Sequence, residues 1–277
     1  MIFNDIMSAK GGSAWGGKKY WVIFKNKLQA SFAYRVNFFA SFIAEGLSLV
    51  IIVYLWLSIY HQGGKIGNYT LGGLILYFII SKFINLTVRS YDAARYVGEI
   101  IRLGDFNNYL LKPLSFFGHT VAYFSAVITY NLIIFSILFS PLLFFGKIEF
   151  TIVNLFYFFI SLIIAFFLNF LFYYAVGISS FFFGYIAGLN FMMWGINSFF
   201  SGNLIPIDLF PKYLVTINNF LPFKYMVFVP ISIITNKYTE NEIFLNLFFG
   251  LSWVLILVIF TNVLYKKGIK KYEAYSS

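Results

Sequence analysis

The sequence predicts an all-α polytopic membrane protein with six transmembrane helices. Three observations lead to this fold class. Apolar residues make up 60% of the 277 positions and charged residues only 11%, whereas a soluble domain averages about 45–50% and about 25%. The mean hydropathy is +0.81. No charged residue occurs between Phe150 and Ile207. A water-soluble core cannot bury this much apolar surface, so the solvent around it is predicted to be lipid.

The six spans follow from the length that a bilayer requires. A membrane-spanning helix needs about 20 mostly apolar residues, and the charge-free run is too long for one such helix. We expect Gly177 to mark the turn between the fourth and fifth spans. All six belong to a single transmembrane domain of residues 1–277, and the predicted spans are 38–59, 69–88, 121–145, 152–174, 178–200 and 243–265.

Basic residues orient the chain in the membrane. Six Lys or Arg precede the first predicted span, five lie between Lys82 and Lys112, and four occupy the tail 266–277. The other five fall in the alternate loops. Because Lys and Arg concentrate on the cytoplasmic side, both termini are predicted to be cytoplasmic. This topology accounts for the net charge of +10, so no nucleic-acid partner is expected.

This sequence lacks the residues that several kinds of chemistry require. There is no cysteine, and the two histidines are His61 and His119, so we expect no thiolate chemistry and no metal site. The stretch from Gly12 to Lys19 resembles a phosphate-binding loop, but Lys19 stands where a magnesium-binding hydroxyl is needed. We therefore expect a flexible linker there and no catalytic residues on this chain.

Residues 18–35 predict an amphipathic helix. Trp21, Phe24 and Leu28 recur at three- and four-residue steps, with lysines elsewhere around the helix. Such helices lie at the membrane surface with their aromatic side chains toward the acyl chains. We expect an interfacial helix that contacts membrane lipid.

Residues 91–113 form an unusually charged segment between the second and third spans. A helix is predicted up to Leu103, where Gly104 ends it, and Asp105 is a good N-cap for a second short helix. The capped bend and the apolar pair Leu110 and Leu111 distinguish this segment from an ordinary solvated connector. We expect a shaped docking surface.

Residues 201–233 are too apolar for an ordinary external loop. Four of the six prolines lie here, and Asp208 is placed to cap a short helix that carries Phe210. Non-helical backbone at membrane depth requires cover by protein or water. We expect an external re-entrant hairpin; a loop lying on the membrane surface is the alternative.

The fifth predicted span carries glycines that permit close helix approach. They are Gly177, Gly184, Gly188 and Gly195. This spacing favours helix packing, either within the bundle or across a dimer.

Three segments together resemble the permease subunits of ATP-binding-cassette exporters of the ABC-2 class. They are "AYRVNFFASFI" at the first span, "GEIIRLGDFNNYLLKPLSFF" after the second, and "FFSGNLIPIDLFPKYLVTINNFLPFKYMVFVPISI" after the fifth. The resemblance covers nearly the whole chain. It implies a prokaryotic plasma-membrane protein that takes part in export. An aromatic, largely uncharged pathway would suit an amphipathic or lipid-like substrate, such as a drug, a peptide or a glycolipid.

The resemblance also implies partners and roles for named residues. A separate ABC ATPase, in two copies, would hold the ATP and Mg²⁺, and a second permease, the same or different, would pack on the glycine stripe. The implied coupling residues are Glu99, Arg102, Gly104, Asp105, Leu110, Leu111, Lys112 and Pro113. The implied external gate consists of Pro206, Asp208, Phe210, Pro211 and Pro222.

Two other functions are compatible with a polytopic bundle. An ATP-independent channel or facilitator would need polar side chains along a continuous pore. A membrane-embedded enzyme would need a catalytic pair at one depth, for which Glu45 and Lys82 are the candidates.

Overall fold

The computed structural model describes residues 16–33, 35–61, 67, 69–88, 90–112, 114–145 and 151–276. These residues form α-helices joined by turns and by two 3-10 helices, Ile207–Leu209 and Phe223–Met226. The α-helices are α1 (Gly16–Ala33), α2 (Arg35–His61), α3 (Leu71–Val88), α4 (Tyr91–Arg102), α5 (Asn107–Leu110), α6 (Phe116–Phe145), α7 (Ile152–Ile178), α8 (Ser180–Phe183), α9 (Ala187–Phe200), α10 (Lys212–Asn219), α11 (Phe228–Ile234) and α12 (Glu240–Ser276).

Four helical stretches are long and apolar enough to cross a membrane. They are Leu71–Arg102, Phe116–Ser136, Ile152–Phe183 and Glu240–Tyr272. They contain the predicted fourth and sixth spans and overlap most of the predicted second and third spans. A shorter apolar helix, Gly46–His61, lies in the first predicted span. The prediction of an all-α membrane protein is thereby confirmed.

The predicted fifth span is divided in the structure. Helix α7 continues through Gly177 to Ile178, and the chain then passes through α8 to Gly184, where φ is +68°. Helix α9 has only 14 residues, about 21 Å at 1.5 Å per residue, which is less than the roughly 30 Å bilayer core. The turn predicted at Gly177 is therefore wrong, and the break lies at residues 179–186.

Helix α7 is the centre of the bundle. Its C-terminal half is buried almost completely, from Leu168 through Ile178. It packs against α4, α11 and α12, so helices from the middle and the end of the chain meet on it. A helix that is apolar on all sides and covered by neighbours is what a core position requires.

The contact between α4 and α7 depends on two glycines. A Cβ added to Gly177 would lie 2.7 Å from the Val97 Cβ and 3.1 Å from the Ala94 carbonyl oxygen. A Cβ on Gly98 would lie 2.8 Å from the Ile186 side chain. Gly177 is thus buried inside this chain. Of the two alternatives for the glycine stripe, Gly177 therefore follows packing within the bundle, because α4 occupies its surface.

Helix α1 runs alongside α6 in the same direction. The Tyr20 hydroxyl accepts a hydrogen bond from the Ser115 amide at 3.0 Å. Further along both helices, the Lys27 ammonium lies 4.4 Å from the Tyr123 ring centroid, and the Phe32 and Tyr130 rings meet at 4.8 Å. Of the predicted lipid-facing residues, Trp21 is exposed and stacks on Phe24, while Phe24 and Leu28 are half-buried.

The predicted cytoplasmic tail 266–277 continues the last helix. Helix α12 reaches Ser276, so its 37 residues span about 55 Å. Gly268 lies against the ring of Phe181, and the Lys271 ammonium donates to the Phe182 carbonyl at 3.3 Å. The end of α12 is therefore packed on α8.

Two glycine substitutions should have opposite effects on stability. Gly177→Ala should destabilise the protein by about 1–3 kcal/mol, because the new methyl group meets Val97 and backbone. Gly195→Ala should stabilise it by about 0.5–1 kcal/mol, because open space surrounds Gly195 in the middle of α9. Thermal unfolding of both variants in detergent measures this. Equal effects of the two changes would contradict the packing.

Candidate functional site

The segment from Leu103 to Ser115 joins α4 to α6 through a sharp bend. Gly104 has φ +84°, a conformation that favours glycine. The amides of Leu103 and Phe106 donate to the carbonyls of Glu99 and Ile100, at 2.9 and 3.1 Å. The prediction that Gly104 ends α4 is confirmed. Phe106 and not Asp105 occupies the N-cap position of α5, so the predicted capping role of Asp105 is wrong.

Phe106 anchors this segment to the rest of the protein. Its side chain is completely buried, and its ring makes edge-to-face contacts with Phe116, Phe181 and Tyr272 at centroid distances of 5.1–5.5 Å. These rings belong to α6, α8 and α12. Edge-to-face aromatic pairs are favourable beyond the area that they bury, so the bend is held to three helices through one side chain.

The outer surface of the same segment is exposed and partly apolar. Leu111 is 85% exposed, Leu103 62% and Leu110 47%. The side chains of Asp105 and Lys112 are also exposed. Three large apolar side chains on a rigid bend form a surface patch of the kind that mediates protein contacts. We call residues 103–112 the coupling tip.

The structure divides the eight predicted coupling residues into two groups. Five of them lie together on the coupling tip: Gly104, Asp105, Leu110, Leu111 and Lys112. Glu99 and Arg102 lie farther back on α4, where they line a cavity against the turn between α8 and α9. Pro113 lies outside the described residues.

An aromatic cluster that the sequence analysis missed supports the coupling tip from behind. The rings of Tyr96 and Tyr123 stack at 4.7 Å, and the His119 ring meets Tyr109 at 5.0 Å. Lys27 of α1 covers Tyr123. The cluster joins α1, α4, α5 and α6, and the density of tyrosines around His119 is the signal in the sequence that could have indicated it.

The segment after α9 lies against the middle of α3. The Tyr77 hydroxyl donates to the Gly202 carbonyl at 2.6 Å. The Asn203 side-chain oxygen accepts from the Ser81 hydroxyl at 3.0 Å and from the Asn85 amide at 2.7 Å. Ser81 is ten residues into α3, about 15 Å along that helix. Non-helical backbone therefore lies beside the middle of α3, which is part of a helical stretch long and apolar enough to cross a membrane.

A polar cluster joins the ends of three segments. The Lys237 ammonium forms an ion pair with Asp208 and donates to the Tyr69 hydroxyl at 2.9 Å. The Tyr69 hydroxyl donates to the other Asp208 oxygen at 2.9 Å, and the Tyr60 hydroxyl donates to the Tyr69 carbonyl. Burial, and then the nearby Asp208 carboxylate, raise the pKa of Tyr69. We call Tyr69, Asp208 and Lys237 the polar latch.

The five predicted gate residues lie along this segment, although Asp208 does not cap a helix. It lies in the 3-10 helix Ile207–Leu209, and the residue before α10 is Pro211. The predicted capping role is therefore wrong, since the carboxylate pairs with Lys237. Pro206, Phe210 and Pro222 are buried and Pro211 is exposed, with Phe210 stacked on Phe199 at 4.8 Å.

Three of the predicted packing glycines remain open to a partner. Gly184, Gly188 and Gly195 have no atom within 4 Å of an added Cβ. Beside the last two, Phe191 and Met192 are exposed on α9. Elsewhere, the Lys82 ammonium donates to the Ser48 hydroxyl at 2.8 Å, and the Glu45 side chain lies outside the described residues.

Removal of the Phe106 ring should destabilise the protein strongly. Truncation of a buried aromatic side chain costs about 3–5 kcal/mol, so Phe106→Ala should lower the thermal unfolding midpoint markedly. Leu103→Ala, three residues away and exposed, should change stability by less than about 0.5 kcal/mol. Thermal unfolding of the purified variants compares them. A Phe106→Ala protein as stable as Leu103→Ala would refute the anchor.

The contribution of Tyr69 to stability should depend on pH. The raised pKa means that the protonated phenol fits the polar latch. The contribution of the Tyr69 hydroxyl to the free energy of unfolding is fully present below about pH 10, where an unfolded tyrosine is neutral. This contribution is lost as the pH rises toward the raised pKa of Tyr69. The stability advantage of the native protein over Tyr69→Phe should therefore shrink above pH 10. Thermal unfolding between pH 8 and 11 measures it, and a constant advantage would contradict the prediction.

The family of the chain follows from a comparison with known protein families. A search of curated protein sequences found no match. The family model described as "ABC-2 family transporter protein" matches residues 47–276, which include the coupling tip, the polar latch and all helices from α3 to α12. Permeases of this family are membrane transport subunits that generally work with an ABC ATPase. The chain belongs to the ABC-2 transporter family.

Proposed function

We propose that this chain is the membrane subunit of an ATP-driven exporter that moves an amphipathic or lipid-like molecule out of the cytoplasm or the inner leaflet. A separate ABC ATPase, in two copies, would bind ATP and Mg²⁺ and supply the energy. The observation that carries this proposal is the coupling tip, which is anchored by Phe106 and exposes Leu103, Leu110 and Leu111.

The ATPase docks on the coupling tip in this proposal. Leucines that are exposed on a rigid bend lose unfavourable hydration when a partner covers them. Asp105 and Lys112 flank them and provide charged contacts at the rim, an arrangement that suits a protein interface. A movement of the docked ATPase is then passed to α6, α8 and α12 through the Phe106 ring.

The proposed topology has six spans and two cytoplasmic termini in the plasma membrane. Helix α9 is too short to cross alone, and the segment after Ser201 completes the fifth crossing as part of a re-entrant hairpin. The bonds from Tyr77, Ser81 and Asn85 to Gly202 and Asn203 support this. They supply the partners that polar groups at membrane depth require.

Helix α12 connects the two ends of the proposed pathway. It begins at Glu240, three residues after Lys237 of the polar latch, and its Tyr272 ring packs on Phe106. The coupling tip and the external gate are thus joined by one helix and its packed side chains. We propose that ATPase closure shifts α12 and opens the polar latch, so that substrate leaves past Pro206 and Pro222.

A second permease, the same or different, packs on α9 in this proposal. Gly188 and Gly195 lie on its open surface with Phe191 and Met192 beside them. Small residues allow a second helix to approach closely within the membrane. Lipid covers the remaining apolar surface of the chain.

Co-purification tests the docking proposal. The tagged chain, extracted in mild detergent from its native cell, should bring a roughly stoichiometric ATPase. Substitution of both Leu110→Asp and Leu111→Asp should remove the ATPase, because each carboxylate would be desolvated at the interface. The matched control Tyr213→Asp places a charge on an exposed site of α10 and should retain the ATPase.

Two results would overturn the proposal. The first is recovery of the chain alone in several detergents, with no ATPase crosslinked in membranes. The second is substrate flux through vesicles of the purified chain that is equal with and without ATP and ATPase. That second result would establish the ATP-independent channel instead.

A further inference from the structure

A cavity lies where α4 faces the turn between α8 and α9. It has a volume of about 110 Å³ and is lined from one side by Arg95, Glu99 and Arg102, and from the other by residues 184–187 and Asn190. One water occupies about 30 Å³ in the liquid, so a small polar group fits. The coupling tip and the polar latch do not include this cavity.

The N-terminus of α9 opens into this cavity without a cap. The N-cap residue is Ile186, whose side chain cannot accept a hydrogen bond. The first helical bond is donated by the Asn190 amide to the Ile186 carbonyl. Within the described residues, the preceding amides of Ala187, Gly188 and Leu189 have no backbone acceptor. Free amides and the helix dipole make such an end a site for an anion.

Asn190 independently indicates a ligand. Its side chain is only 4% exposed and lines the cavity. Its side-chain oxygen is buried and has no hydrogen-bond partner among the residues that the structure describes. Buried polar atoms are nearly always paired, and an unpaired one costs about 1–3 kcal/mol. Because Asn190 lines the cavity, a rotation of its amide would bring this oxygen to a ligand that carries a hydrogen-bond donor.

The charged side chains that line the cavity favour a ligand that carries an anionic group and, next to it, a hydrogen-bond donor. Two guanidinium groups line the cavity against one carboxylate, Glu99. Arg95 also lies 3.6 Å from Asp92, a loose ion pair on the surface. Arg102 is positioned over the ring of Tyr185 at 5.7 Å. Arginine is suited to phosphate, while Glu99 and Asn190 can accept from a neighbouring hydroxyl or ammonium group.

We propose that this cavity binds a phosphate group that carries a hydroxyl or ammonium group next to it, as phospholipid head groups do. Tyr185 lines the cavity, and Phe183 and Phe191 are the chain neighbours of its lining residues Gly184 and Asn190. All three aromatic side chains are exposed, so acyl chains attached to the phosphate have apolar surface to cover. The source of the phosphate is either a lipid of the inner leaflet or a free phosphate compound. The inference does not rest on export or on the ATPase.

Calorimetric titration of the purified full chain in uncharged detergent tests the site at constant ionic strength. The probes are dihexanoyl phosphatidylglycerol, inorganic phosphate and dihexanoylglycerol, which has the same acyl chains without the phosphate. We expect saturable binding of the phospholipid. The double variant Arg95→Gln and Arg102→Gln should weaken it at least tenfold, and these exposed changes spare the fold. Asn190→Asp should weaken it as well, because it adds a negative charge.

The control variant is Lys212→Gln, which removes an exposed cation on α10 and should leave binding unchanged. Binding of the phospholipid but not of inorganic phosphate, lost in the arginine variant, supports the site with a lipid source. Loss of binding to both in that variant supports it with a free phosphate source. No binding of either probe, equal binding by the arginine variant, or equal binding of dihexanoylglycerol would overturn the proposal.

Discussion

The burial of one side chain, Phe106, is the constraint on which the end of the bundle that carries the coupling tip depends. Without it, the bend after α4 would lose its ring contacts with α8 and α12 and would keep those of Tyr109 with α6. With it, the exposed leucines of the coupling tip sit on a surface that moves with α6, α8 and α12, because the Phe106 ring packs against a ring from each of these helices. A partner that pushes on this tip therefore pushes on the bundle.

Two further contacts extend this constraint through the molecule. Gly177 and Gly98 allow α4 to lie directly on α7, the most buried helix, so the coupling tip is carried by the core. Helix α12 runs from the Phe106 ring to the neighbourhood of Lys237, where the polar latch holds the opposite end. Coupling between distant sites travels through packed networks of this kind. The proposed phosphate site lies beside the same α4–α7 contact.

The sequence predicted several residues of the candidate site but not the side chains that they contact. Gly104, Leu110 and Leu111 were recognisable because a turn residue and a pair of leucines stand out in a charged segment. The role of Phe106 was not, because one more phenylalanine among 38 carries no local signal. Asp208 and Lys237 are 29 positions apart, and Asp208 was assigned to a helix cap because capping is a local pattern whereas an ion pair at that separation is not.

By itself the sequence determined that this is an all-α membrane protein and where most of its candidate spans lie. The length of an apolar run and the positions of charged residues are properties of the linear chain. They decide which segments can cross a lipid bilayer, so the spans can be predicted from the sequence. Only the tertiary structure decided that the fifth span is broken, that α1 lies along α6, and that Gly177 faces α4. Those outcomes depend on which helices meet and how closely, and that is set by side-chain shape in three dimensions.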